Sequence, residues 1–420
     1  MITQKINKSE IYLLSGPAEI KVNSGLVSVI GAEFNEGKRF NVPTGKRVPI
    51  EILLDGKLEI NFGDTGRIEV LEKRTIPELW DELAEKIFKE KRRKILILGE
   101  VDTGKSFFTT YISNKLIKNK VTVGILDCDV GQSDVGPPGT LGLAICDKEF
   151  LFLSSQPADE IFFIGSLSPG LHLTSFITGI DKLTTYAVTK TDFLIIDTTG
   201  WVQGDGGRQV KQSKIDIIQP DLIILLQRNK ELEHLVRTVH PDNIFRLPVS
   251  KKASNTSQGD RKALRELVSI NYFKNSKSYS ISLDKIKTER SYFKSGYELS
   301  LNNEKVEYAE RLSAWEGILA FVTELLTPDE LADLKKEHNV FNIRQFKTGT
   351  EKYLTVALLD KNRRALGLGN IEKFDFKDKA IILHSPISAD NFKKVEIIQF
   401  GSNRTNFSGK EMGFISPGSL

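Results

Sequence analysis

The chain has 420 residues, 40% hydrophobic and 27% charged, with a formal net charge of +4 and only two cysteines, Cys128 and Cys146. That length exceeds one ordinary domain, so two or three are expected, and the cysteine count excludes a disulfide framework or a cysteine-held zinc site. The mild positive charge permits an anionic partner without arguing for nucleic acid. No apolar run reaches the roughly 18 residues that span a bilayer, and Met1–Lys5 lacks a signal-peptide core. The expectation is no membrane association and a cytoplasmic location, or a nuclear one in a eukaryote.

Up to about residue 72 the chain reads as short strands separated by glycine turns. Ile11–Leu14, Ala18–Val22 and Leu26–Ile30 are the clearest, divided by Ser15-Gly16-Pro17 and Asn23-Ser24-Gly25, and they suggest a small β-sandwich or barrel. Pro77 to Lys89 has helical spacing, with Trp80, Leu83, Ala84 and Ile87 on one face. From Lys94 the texture changes to α/β. Apolar strands are expected at Ile95–Leu98, Val121–Leu126, Phe150–Leu153, Phe193–Ile196 and Leu222–Leu226, with helices centred near residues 112, 180 and 212 and another near 235. Alternating strands and helices predict a mostly parallel sheet covered on both faces, with ligands at the strand C-terminal edge. A lysine- and arginine-rich stretch follows at Lys251–Lys277. A helix near Ala309–Leu326, a β-rich tail from about Val340 and a loosely ordered Ser408–Leu420 complete the expectation.

The strand at Ile95–Leu98 runs into Gly99-Glu100-Val101-Asp102-Thr103-Gly104-Lys105-Ser106, which fits G-x-x-x-x-G-K-[ST] at every fixed position. Glycines let backbone N–H groups turn onto phosphate oxygens, and the following helix adds its N-terminal dipole. Lys105 is expected to reach the β/γ-phosphates and the Ser106 hydroxyl to ligate Mg²⁺. Gly99, Glu100, Asp102, Thr103, Gly104 and Phe107 complete the expected ATP contacts. One helix on, the strand ending in Asp127-Cys128-Asp129 delivers two carboxylates. One can hold the metal and the other accept a proton from an incoming hydroxyl. Asp197, ending the strand before Thr198-Thr199-Gly200-Trp201, is the other candidate metal acid. Gly131–Thr140 is too rich in glycine and proline to be regular, and Gln132 there can hydrogen-bond an acceptor. Trp201 either stacks on a base or packs. Arg261 and Arg265, four apart, share a helix face that either is solvated or reaches over a phosphate.

Together, G-E-V-D-T-G-K-S, D-C-D-V-G-Q with P-P-G-T, S-P-G at 168–170, D-T-T-G-W and the basic stretch resemble the polynucleotide 5′-hydroxyl kinase family. That family includes the kinase subunit of the pre-mRNA cleavage complex and the nucleolar kinase of ribosomal RNA processing. L-S-G-P-A-E-I-K-V and G-A-E-F near the N-terminus look similar as well. The resemblance implies transfer of the ATP γ-phosphate to the 5′-hydroxyl of RNA or DNA with Mg²⁺, and RNA-processing proteins as possible partners. By resemblance, Lys105, Asp129, Arg261 and Arg265 are catalytic, with Asp129 the base. Ser106 looks like a metal ligand, and Thr198 and Trp201 resemble the element that clasps the acceptor, while Asp127 and Asp197 as metal ligands and Gln132 as an acceptor contact are expected from their positions. The implied architecture is a central P-loop domain (76–290, lid near 250–272) between β-rich domains at 1–75 and 291–420. The rival is an ATP-binding scaffold that does not turn over, against which the intact Lys105, Asp129 and both arginines argue. A GTPase or ATPase switch is the third reading, and the P-P-G-T loop suits an acceptor site better than a switch.

Overall fold

A computed structural model describes residues 2–250, 257–313, 316–418 and 420, so residues 251–256 of the basic stretch lie outside the described residues. The N-terminal part is an antiparallel sheet built on two long strands, Ala18–Val29 and Arg47–Phe62. Ala18–Val22 and Leu26–Ile30, expected as separate strands, are one strand that runs through Asn23-Ser24-Gly25 with shifts of register. Gly25, at φ +91°, makes this possible: a Cβ there would lie 2.7 Å from the Asp55 carbonyl, so the two backbones cross where only glycine fits.

The helix α1 (Glu78–Lys89) buries the expected Trp80, Leu83, Ala84 and Ile87. The central sheet comprises β1 (Lys94–Gly99), β2 (Val123–Cys128), β3 (Thr140–Cys146), β4 (Glu160–Phe163), β5 (Phe193–Thr198), β6 (Leu222–Gln227) and β7 (Ile244–Pro248). Its order is β4-β3-β2-β5-β1-β6-β7, with β2, β5, β1, β6 and β7 parallel and β3 and β4 antiparallel at one edge. The helix α2 (Lys105–Ile117) and the N-terminal sheet share one core on one face. The helices α3 (Leu173–Val188) and α4 (Gly204–Ile218) cover the other. This is the expected mostly parallel, two-faced α/β domain.

Several expected elements differ. Phe150–Leu153 is not a strand, and only a 3₁₀ turn follows, at Leu153–Ser155. The strand is instead β3, hidden in the sequence because Gly142 sits under Val135, where a Cβ would be 1.9 Å from its carbonyl oxygen. The helix near 235 is a single 3₁₀ turn, Glu233–Leu235. Ala309–Leu326 forms two antiparallel strands, Val306–Leu312 and Gly317–Val322, and the helix follows at Pro328–Glu337 behind the Thr327/Glu330 capping box. A short, wholly buried apolar run has no period that separates helix from strand.

The helix α5 (Gln258–Phe273) leads directly into the C-terminal sheet, which already includes Lys277–Ser282 and Lys287–Glu289. The last residues are not loose: β8 (Glu411–Phe414) pairs with Ile397–Thr405, and Leu420 is buried. The C-terminal end of α5 packs on this sheet through Phe273 and Tyr272, whose hydroxyl accepts from the Leu368 N–H at 2.9 Å.

Candidate functional site

The C-terminal ends of β1, β2, β5 and β6 converge on one edge. Ile95 to Leu98 are fully buried, which fixes the height at which Gly99 leaves the sheet. A Cβ on Gly99 would come 2.5 Å from Thr103 Oγ1, so the loop can fold this tightly only on glycine. Asp102 (φ +58°) and Gly104 (φ +86°) are left-handed and wrap the loop toward the N-terminus of α2. No side chain caps that helix, and its first intrahelical bond is Phe108 N–H to the Gly104 carbonyl, leaving the N–H groups of Lys105, Ser106 and Phe107 for a phosphate. Phe107 contributes only its backbone, because its ring packs toward Trp80 with centroids 6.0 Å apart. Thr103 Oγ1 and Lys105 Nζ donate to the Glu100 carbonyl at 2.9 and 2.7 Å. Burial depresses the Lys105 ammonium, and Asp197, Asp129 and Asp102 oppose that shift.

Asp197, the last residue but one of β5, stands in register with Asp127 of β2. Its Oδ2 accepts from the Ser106 hydroxyl at 2.8 Å, while its Oδ1 is buried without a partner among the described residues. Burial pushes its carboxyl up to about 6, against Lys105 and Ser106. A hydroxyl beside a carboxylate with one unsatisfied oxygen is a hard-oxygen donor set that suits Mg²⁺. Among the described residues no three His, Cys, Asp or Glu side chains close on one point.

Asp127 is tied into the loop that follows it. Its Oδ1 accepts from the Asp129 N–H (2.9 Å), and its Oδ2 from the N–H groups of Asp134 (2.6 Å) and Val135 (3.0 Å) and the Ser133 hydroxyl (3.3 Å). Both oxygens help to fold the loop, Oδ2 through three donors and Oδ1 through one. Burial, with Asp197 and Asp134 nearby, pushes its carboxyl up. The strand ends at Cys128, so Asp129 stands in the following turn and not on the Asp127 face of an extended strand. Asp129 Oδ1 accepts from the N–H groups of Gly131 and Gln132, both at 3.1 Å, while Oδ2 carries no hydrogen bond among the described residues.

Trp201 is 37% exposed. Its ring lies on Gly206 and Gly207, where Cβ atoms would meet it at 2.7 and 3.1 Å, and near Gly170 of the S-P-G loop. One face is thus packed on glycine, and an open surface remains. Thr198 does not reach the acceptor edge: it is buried and its hydroxyl donates to the Ile97 carbonyl at 2.8 Å, bracing β5 against β1. Gln132 Nε2 donates to the Arg261 carbonyl at 3.0 Å, joining the glycine-rich loop to α5. Arg261 Nη1 stands 3.8 Å from Asp102 Oδ2, over the phosphate loop. Arg265 is not brought there. Its guanidinium pairs with Glu411 of β8 at 2.8 Å.

Three groups at this edge escaped the sequence reading. Arg228, directly after β6, donates to the Asp102 carbonyl at 3.2 Å. Its signal was position alone, a charge ending an apolar strand. Gln203 Nε2 donates to Glu100 Oε1 at 2.8 Å. Asp134 lies near Ser106, and burial raises its carboxyl against the pull of Lys46, just before the strand Arg47–Phe62. The third acid of D-C-D-V-G-Q-S-D was its signal.

Residues 99–275 match the family model described as "mRNA cleavage and polyadenylation factor CLP1 P-loop". A polyribonucleotide 5′-hydroxyl-kinase of Pyrococcus abyssi is 32% identical over 332 residues, 77% of this chain and 91% of the relative. One of Methanocaldococcus jannaschii is 30% identical over 335 residues, 79% of this chain and 92% of the relative. The Danio rerio polyribonucleotide 5′-hydroxyl-kinase Clp1 is 26% identical over 281 residues, 61% of each chain. A solved structure of a wild-type Clp1p–Pcf11p complex superposes with a TM-score of 0.65 at 12% identity, covering 96% of this chain and 97% of that one, which shows a common fold. With its motifs on one sheet edge and these relatives matched over most of their length, the chain belongs to the Clp1-type polyribonucleotide 5′-hydroxyl-kinase family.

Proposed function

We propose that this chain transfers the γ-phosphate of ATP to the 5′-hydroxyl end of a polynucleotide, with RNA the substrate its relatives' names suggest. The observation that carries this reading is the pairing of Asp129, with one carboxylate oxygen unengaged, and the open Trp201 on the same edge as the phosphate loop. A switch ATPase needs neither.

Lys105 and the α2 N-terminal N–H groups hold the β- and γ-phosphates. Ser106 and Asp197 are the residues that would hold Mg²⁺, which when bound neutralises charge on the phosphates. Asp129 Oδ2 takes the proton of the 5′-hydroxyl as its oxygen bonds to the γ-phosphorus. The bond from that phosphorus to the β,γ-bridging oxygen breaks, and ADP leaves. Trp201 stacks on the terminal base, and Arg261 supplies charge from the lid. Arg265 acts indirectly, by seating α5 on Glu411. Proteins of RNA processing are candidate partners. No helix among the described residues is long and apolar enough to cross a membrane.

The test is incubation with γ-labelled ATP and 5′-hydroxyl oligonucleotides of both sugars. Label at the 5′ end is expected. ATP binding without transfer would replace this reading with that of a nucleotide-binding scaffold. Trp201→Ala is expected to raise KM for the oligonucleotide and not for ATP.

A further inference from the structure

Lys211 and Lys214 of α4 are both fully buried, and no step of the phosphate transfer uses either. Taking an ammonium out of water is costly unless strong partners replace the lost hydration. The two differ in what replaces it. Lys214 Nζ has no hydrogen-bond partner among the described residues and lies 4.7 Å from the centre of the Phe176 ring. Lys211 Nζ donates to the Thr199 carbonyl at 2.5 Å and lies 3.2 Å from Thr199 Oγ1.

Thr199 opens the turn that carries Trp201. Four residues before Lys211, on the same face of α4, Gly207 supports the Trp201 ring with Gly206. Between those two holds, Gly200 presses on the phosphate loop, where a Cβ would be 2.5 Å from the Val101 nitrogen. The turn is therefore gripped at Thr199 by Lys211, at Trp201 by the α4 glycines, and in the middle by the donor loop itself. Among the described residues no other side chain holds the Thr199 carbonyl.

We propose that Lys211 is a positioning residue for the acceptor strand, fixing the Thr199–Trp201 turn so that Trp201 stands at a set distance from the phosphate loop. The substrate class, a polynucleotide end stacked on Trp201, rests on the kinase reading above. Lys214, one turn further along the same helix and equally buried, has no such role.

The test compares Lys211→Met, Thr199→Val and Lys214→Met in the full chain. A fluorescently labelled 5′-hydroxyl oligonucleotide reports Kd by anisotropy without requiring transfer, and steady-state assays give KM for both substrates. Lys211→Met is expected to raise oligonucleotide Kd and KM about tenfold, since small misplacements of a bound substrate are costly, and to leave KM for ATP within about twofold. Thr199→Val shifts the same quantities by about threefold, and Lys214→Met shifts none. Unchanged oligonucleotide affinity in folded Lys211→Met, or equal losses for ATP and oligonucleotide, would overturn the proposal. Should Lys211→Met not fold, Thr199→Val decides on the same two readouts. Absence of transfer by the unaltered protein sinks the kinase reading alone, because the anisotropy comparison still reports on Lys211.

Discussion

Asp127 and Asp129 are two residues apart and chemically identical, yet their surroundings differ. Every oxygen of Asp127 faces a donor of the loop it organises, whereas Asp129 keeps one oxygen without a hydrogen bond among the described residues. Asp129→Asn is expected to lower kcat by about 10² or more while ATP affinity holds, the usual scale for losing a positioned base. Asp127→Asn instead puts an NH₂ group against backbone N–H donors, and is expected to cost about 1–3 kcal/mol of stability, read as a lower Tm. The pair was legible in sequence as two acids at a strand end. Which acid does which job was not, because it depends on where the strand stops and on N–H groups from residues 131–135.

Asp197 gives a pH signature. Its carboxyl is raised to about 6 in the folded protein against about 4 in an unfolded chain. A raised acid contributes stability that is complete below about pH 4 and is lost as pH rises through about 6. Asp197→Asn is therefore expected to raise the Tm of the ligand-free protein at about pH 8 and change it little at about pH 4. A thermal melt at the two pH values checks this, and a uniform shift at both would show that the carboxyl is not perturbed.

At the scale of elements, α5 bridges two bodies. Its N-terminal half reaches the site through Arg261, while Arg265, Glu266 and Tyr272 tie it to the C-terminal sheet. In a double-mutant cycle, Arg265→Ala and Glu411→Ala are each expected to reduce kcat, with the double variant no worse than either single one. Additive losses would instead mean that Arg265 acts on the phosphates directly. The arginines themselves could be named from the basic stretch, but Glu411 lies 146 residues further on, so no local pattern announces the pairing. The strand pair at Val306–Val322 was hidden for another reason: it is a local hairpin whose second strand is wholly buried and so shows no period, whereas α1 carries a helical period and the phosphate loop its own turn chemistry.

At the scale of the molecule, the N-terminal sheet is not an appendage. Asn114, fully buried on α2, donates to the Ile30 and Phe150 carbonyls at 2.8 and 2.7 Å and accepts from the Phe150 N–H at 3.0 Å. Tyr111, beside it, fills the space over Gly31. Asn114→Ala leaves three buried backbone groups unpaired and is expected to cost about 2–4 kcal/mol. The N-terminal sheet and the P-loop domain should still melt in a single calorimetric transition, because they share one core. Two resolved transitions would show that they are separable.

The contact of Gly200 with Val101 has a thermodynamic consequence. Donor loop and acceptor turn meet directly, with Gly200 against both the backbone and the side chain of Val101, where a Cβ would lie 2.5 Å from its nitrogen and 2.4 Å from its Cγ2. Occupancy of one half is then felt by the other, and linkage makes the effect reciprocal. The factor by which a non-hydrolysable ATP analogue tightens the oligonucleotide must equal the factor by which the oligonucleotide tightens the analogue. A larger residue at 200 should bring that factor toward one before it abolishes either binding event.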